Sequence, residues 1–306
     1  MSAADRRAAA GRVCVYCGDA RLDGHQRPEH PIPEVLDSAI TVYTVCDDCN
    51  ARAGREVDQP WLDDPLVRAE RQRWKPRGRR HKLAAGGHPW LDGVYEDEDG
   101  HRVVVRDGMP TYPGSIQRAA DEITIAASTP ERAQELRDRV GRQLAARGQR
   151  MLDYTQGRRR RRPRLQRTLA VSLTLGVRMG AKLALAFGGE AYDEGWRTSE
   201  QARLLRRWLW SEHPENEAGE RLAWIARRGD DHPLAQPPNH VVHFGIVGEE
   251  VVLCALVFGT LGFTVPVAPL ATKLPDIAWC SGPAHGADVL TTRSALLTEA
   301  VMRAVS

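Results

Sequence analysis

Cys14-Val-Tyr-Cys17 and Cys46-Asp-Asp-Cys49-Asn50, with 28 residues between them (positions 18–45), decide the fold at the start of this 306-residue chain. A Cys-x-x-Cys turn lets two sulfurs converge on one ion, and two such turns close a tetrahedral site of the kind that holds structural Zn²⁺. A disulfide framework fits less well. The opening Met1–Gly11 is polar and rich in Arg and Ala, without the apolar run of a secretory leader. The expected location is therefore cytoplasmic, where paired cysteines serve as metal ligands. Cys254 and Cys280 stand alone among apolar residues and are expected to be buried thiols.

Between the cysteine pairs lies Glu29-His30-Pro31-Ile32-Pro33, whose two prolines forbid a helix and impose an extended backbone. Residues 12–18 read as a short strand. Ile40-Thr41-Val42-Tyr43-Thr44-Val45 has the β-branched and aromatic composition of a second. A short helix is expected from Asp47 to about Val57, with Cys49 and Asn50 in its first turn and Asp47 and Asp48 favoured there by the helix dipole. The order is strand, knuckle, loop, strand, knuckle, helix.

At about 150 residues per domain the chain should hold two domains. The expected division is a zinc-stapled module over 1–75 and a larger α+β domain of unknown fold over 76–306, serving target binding, regulation or oligomerisation. Lys75-Pro-Arg-Gly-Arg-Arg is the expected hinge. In the second part, strands are expected at 101–106, 122–126, 241–246, 251–257, 262–267 and 277–280. Thr129-Pro130 opens a helix to about Arg147, with Thr129 as cap. Further helices are expected at 199–211 and 294–305. The alternating run Leu169–Phe187 is too long for one strand and is divided into a strand at 167–175 and a helix at 177–187. No apolar stretch reaches the ~18 residues of a membrane span.

Taken together, Cys14-x-x-Cys17, Glu29-His30-x-Ile32-Pro33 and Cys46-x-x-Cys49-Asn50, followed by Gly54 and Asp58, resemble the zinc-containing branch of the HNH endonuclease family over about residues 12–65. The resemblance implies a ββα-metal, treble-clef-like module in which His30 is the general base. Glu29 and Asn50 would ligate a catalytic Mg²⁺ or Mn²⁺, and Cys14, Cys17, Cys46 and Cys49 would hold the structural zinc. These roles suit the residue types. Hard divalent ions prefer oxygen donors, and an imidazole changes charge near neutral pH. Where many members carry an asparagine that orients the base, this chain has Thr41. The function implied is metal-dependent hydrolysis of phosphodiesters, with DNA the expected substrate and restriction or defence a compatible role. The alternative is a catalytically inactive zinc-stapled module for nucleic-acid binding or assembly.

The net charge of +3 understates two basic blocks. Arg71, Arg73, Lys75, Arg77, Arg79 and Arg80 fall in one, and Arg158, Arg159 and Arg160 open the other. Beside a nuclease-like module such clusters are expected to hold phosphate backbones. No Walker loop, Gly-x-Ser-x-Gly or dinucleotide-binding fingerprint occurs. Trp208, Trp210 and Trp224 have core-like spacing, and His240 and His243, three residues apart on a strand, should face opposite ways.

Overall fold

The computed structural model describes residues 9–74, 93–97, 100–106, 109–118, 123–127, 129–150, 165–166, 172–218, 223–226, 238–269, 272–282 and 286–290. The chain forms two compact units, one of residues 1–85 with 171–306 and the other of residues 86–170. This differs from a division near residue 75. One continuous core joins Cys14, Val15, Tyr16, Ile32 and Val45 to Met179, Leu183, Phe187, Trp208 and Phe263, so the cysteine module has no core of its own. A module of this size buries too little apolar surface to stand alone easily, and sharing a core meets that need.

In the first unit, the expected strands at 12–18 and 40–45 shrink to isolated bridges, Val13 with Arg21 and Glu29 with Val42. Knuckle turns and prolines leave no room for longer ladders. A 3-10 turn follows at Glu34–Leu36. Helix α1 (Asp47–Ala53) starts from Cys46 with both aspartates in its first turn. It passes into a π-helical turn, Gly54–Asp58, then α2 (Gln59–Asp63) and α3 (Pro65–Trp74).

The second unit begins with the antiparallel strands β1 (Gly93–Asp97), β2 (Arg102–Arg106) and β3 (Met109–Thr111). The hairpin β4 (Ser115–Arg118) and β5 (Ile123–Ala126) precedes α4 (Pro130–Ala145), which Thr129 caps by accepting from the Arg132 amide. The short β6 (Leu165–Gln166) pairs with β1.

Returning to the first unit, α5 spans Leu173–Ala191 without a break. Residues 173–175, expected to end a strand, are its first turn, capped by Ser172; residues 167–171 lie outside the described set. Every residue from Met179 to Gly189 on this helix is buried. A helix apolar on all sides carries no 3.6-residue stripe to mark it, and its alternation of large and small residues imitates a strand. Then come α6 (Glu194–Thr198), α7 (Glu200–Trp210) and α8 (Glu215–Ala218). The six-stranded antiparallel sheet has the order β12-β11-β8-β9-β10-β7. Its strands are β7 (Ala223–Ala226), β8 (His240–Val247), β9 (Glu250–Val257), β10 (Leu261–Pro269), β11 (Ala278–Gly282) and β12 (Gly286–Leu290). Gly248, at φ 58°, turns β8 into β9. Cys254 and Cys280 are buried, as expected. The helix expected at 294–305 falls outside the described residues, among which no helix is long and apolar enough to cross a membrane.

Candidate functional site

The sulfurs of Cys14, Cys17, Cys46 and Cys49 lie within 4.8 Å of one another. Four thiolates around one zinc stand roughly 3.8 Å apart at ordinary Zn–S lengths, so the cluster could bind structural zinc. Its electrostatics agree. Hydrogen bonding from Cys49 pulls the Cys14 thiol down to about 5, while burial pushes Cys46 up to about 11 and its neighbours, Cys14 first, raise Cys49. The set readily gives up a first proton but resists further negative charge until a cation joins it.

The C-terminal helices hold this knuckle by its carbonyls. Arg197 of α6 donates to Val13 O at 3.2 Å, Arg206 of α7 to Val15 O at 2.9 Å, and the Trp210 indole to Tyr16 O at 2.8 Å. Gly189 makes the approach possible, since a Cβ there would stand 2.4 Å from a Val15 methyl. Trp208 is core, as its spacing implies. Trp210 is half-buried and carries the Arg52 guanidinium 4.1 Å above its ring.

Next to the knuckle, Glu29 exchanges both backbone hydrogen bonds with Val42, each at 2.9 Å. That antiparallel register sets His30 across from Thr41. The Asn50 side chain, from the first turn of α1, donates through Nδ2 to Pro28 O at 3.1 Å, next to Glu29 in sequence. His30 Nε2 lies 4.0 Å from Glu34 Oε2, and the His30 side chain is 20 % exposed. The structure thus gathers the Glu29 backbone, His30, Thr41 and Asn50 around one short hairpin and one helix start.

The Glu29 carboxylate points inward, its side chain only 3 % exposed. Its Oε1 accepts from the Tyr16 hydroxyl at 3.1 Å and meets the Lys182 ammonium, from the middle of α5, at 2.9 Å. Lys182 also binds Asp58 Oδ1 at 2.6 Å and donates to His30 O at 3.1 Å. Among the described residues no hydrogen bond reaches Glu29 Oε2 or Asn50 Oδ1, so each side chain is anchored through one polar atom and keeps an oxygen in hand.

One ammonium between the buried Glu29 and the half-buried Asp58 carboxylates leaves one negative charge uncompensated. Burial, with repulsion from Glu29, pushes Asp58 up to about 6 against the pull of Lys182. Burial alone would lower Lys182, but Asp58 and Glu29 outweigh it and hold the lysine charged. Burial, then Glu29, raises the Tyr16 phenol, so it stays a donor.

No family model, curated protein or solved structure matches this chain. The site is therefore judged on its own chemistry.

Sequence reasoning misses Lys182 and Tyr16, and from sequence Asp58 reads as no more than a helix-end or packing residue. A signal for Lys182 is present, because a lysine inside the otherwise apolar Met179–Gly189 must find a carboxylate if it is buried. Of the basic residues, Arg71 is half-buried, with a long 3.4 Å contact to Leu62 O, and burial lowers its pKa. Arg73 is exposed, with Glu70 3.8 Å away and its own guanidinium over Trp74. Lys75, Arg77, Arg79, Arg80, Arg158, Arg159 and Arg160 lie outside the described residues, as does the Trp224 side chain. His240 and His243 form no joint site. His240 bridges Leu36 O and the Phe258 amide, while His243 Nδ1 lies 3.1 Å from Phe244 O.

Proposed function

We propose that this chain is a metal-dependent HNH-type endonuclease that hydrolyses phosphodiester bonds of nucleic acid, DNA first. The carrying observation is the pairing of anchored and unengaged atoms on Glu29 and Asn50. Tyr16 and Lys182 hold Glu29 by Oε1, and Pro28 O holds Asn50 by Nδ2, leaving Oε2 of the residue that precedes His30 and Oδ1 of Asn50 as two hard oxygen donors. That donor set fits Mg²⁺ or Mn²⁺, which accept one or two protein oxygens and otherwise water and phosphate. When bound, such an ion supplies charge stabilisation at the phosphate and the leaving oxygen.

The chain's own residues do the rest. His30, partly exposed across from Thr41, accepts the proton of the attacking water at its imidazole. Its carbonyl is held by Lys182. The Thr41 side chain is a hydroxyl, one bond shorter than the asparagine amide of many HNH enzymes, on the residue across from His30. The zinc knuckle does no chemistry in this reading; it fixes the start of α1, and with it Asn50, against the Glu29 hairpin. A treble-clef-like frame accounts for the order of knuckle, hairpin and helix.

The test is plasmid nicking by purified, zinc-loaded protein with Mg²⁺ or Mn²⁺. His30→Ala is expected to lower the rate by about 10²–10⁴-fold, the range of a lost general base, while DNA binding persists. The enclosure of the Glu29 side chain favours a second reading, a binding or assembly module without hydrolysis. Wild-type protein that binds DNA but never cuts it under either ion would select that alternative.

A further inference from the structure

Among the described residues Lys182 is the one fully buried cation at this site, and in the hydrolytic chemistry above it neither moves a proton nor touches the substrate. An ammonium has three donors, and here they meet three oxygens: Glu29 Oε1 at 2.9 Å, Asp58 Oδ1 at 2.6 Å and His30 O at 3.1 Å. We infer that Lys182 is the positioning residue of the Glu29–His30 site, so that α5 completes a centre whose other parts all come from the first 58 residues. The inference rests on the metal-dependent reading of Glu29.

Two features separate positioning from a plain buried ion pair. First, Lys182 and Tyr16 converge on the same oxygen. A carboxylate held at one oxygen by two donors from different elements cannot turn about its last torsion, which fixes the direction of Oε2. Partners of this outer kind ordinarily set the geometry of ligating carboxylates. Second, the same ammonium grips the backbone of His30, the neighbouring residue. One group therefore registers the carboxylate and the base against each other. Asp58 takes the third donor, so all three N–H groups of the ammonium are engaged and its position is fixed.

The experiment measures Mn²⁺ affinity by electron paramagnetic resonance on the full-length zinc-loaded chain, with nicking rates alongside. The double variant Lys182→Met/Asp58→Asn removes one charge of each sign and leaves the local charge unchanged, so what is lost is the pinning of Glu29 and of the His30 carbonyl. Mn²⁺ affinity is expected to fall by about 10–100-fold with zinc content unaltered. Tyr16→Phe deletes a single donor oxygen and preserves the ring packing, so it remains informative if the double variant folds poorly. Its expected effect is a smaller fall in the same direction. Zinc-loaded Tyr16→Phe and double variants that bind Mn²⁺ and nick DNA as wild type does would overturn the positioning role while leaving the endonuclease reading intact. If Glu29→Gln leaves Mn²⁺ binding unchanged, the metal reading itself fails and this inference fails with it.

Discussion

The cysteine cluster and the Glu29 cluster lie side by side in the same core and meet the same difficulty, negative charge away from water, in opposite ways. Cys14, Cys17, Cys46 and Cys49 bring four thiols and no cation, so their full ionisation depends on an ion from outside. Glu29 and Asp58 bring two carboxylates and are given a cation by the chain itself, Lys182, from 124 residues beyond Asp58. The knuckle is closed by local turns and the carboxylates by tertiary structure. A centre of the first kind needs an outside ion to balance its own charge, while in the second folding supplies the first cation.

The most severe way to break this comparison is to deny the knuckle its ion. Chelation, or Cys49→Ser, should abolish cooperative melting, because structural zinc contributes on the order of 10 kcal/mol in small zinc modules and the core here is shared. Circular dichroism with zinc analysis reads the outcome, and a chelated protein that melts as before would show that the cysteines are only packed thiols.

The counterpart test is Lys182→Met alone, which leaves the buried Glu29 and the half-buried Asp58 carboxylates without their shared cation. A loss of about 3–5 kcal/mol is expected in denaturant titration, with part restored by adding Asp58→Asn. Equal stability of the single and double variants would mean that the ammonium and Asp58 are not energetically linked.

His240 offers a third case, a buried titratable group held by the Leu36 carbonyl and the Phe258 amide, where burial outweighs the pull of Asp37. Burial depresses its pKa to about 4. The folded state thus takes up its proton later than the unfolded chain, whose histidine titrates near 6.5. The resulting stability is present in full above pH ~6.5 and is lost as pH falls through ~4. Over that window wild type should lose about 3 kcal/mol more than His240→Gln. Parallel curves for the two proteins would remove His240 from the account.

The smallest effect is expected from Arg206→Ala. It deletes the guanidinium that holds Val15 O, and a loss of about 1.5–3 kcal/mol should appear as earlier melting with zinc retained.

What the sequence disclosed follows the range of each interaction. The cysteine pairs are legible because spacing along the chain already brings two sulfurs together. Strands β8, β9 and β10 are legible as apolar runs between turns, and α4 through the cap Thr129. The start of α5 reads wrongly as strand because burial on every side erases the helical stripe. Composition overstates the strands at 12–18 and 40–45, since β-branched residues say nothing of how many neighbours a strand finds. At the site, the resemblance to HNH endonucleases groups Glu29, His30, Thr41 and Asn50, but says nothing of the inward turn of the carboxylate. That turn depends on Lys182, whose partner no local pattern can name.

The return of residues 171–306 to the first unit bears on how the protein is made. His30 and Lys182 are 152 positions apart, and at about 5–20 residues per second a ribosome needs roughly 8–30 s to travel between them. For much of that interval the nascent Glu29 has left the ribosome while its lysine does not yet exist. A cluster wired in this way cannot close on a half-made chain, and a truncated product would carry Glu29 and Asp58 yet lack the ammonium between them.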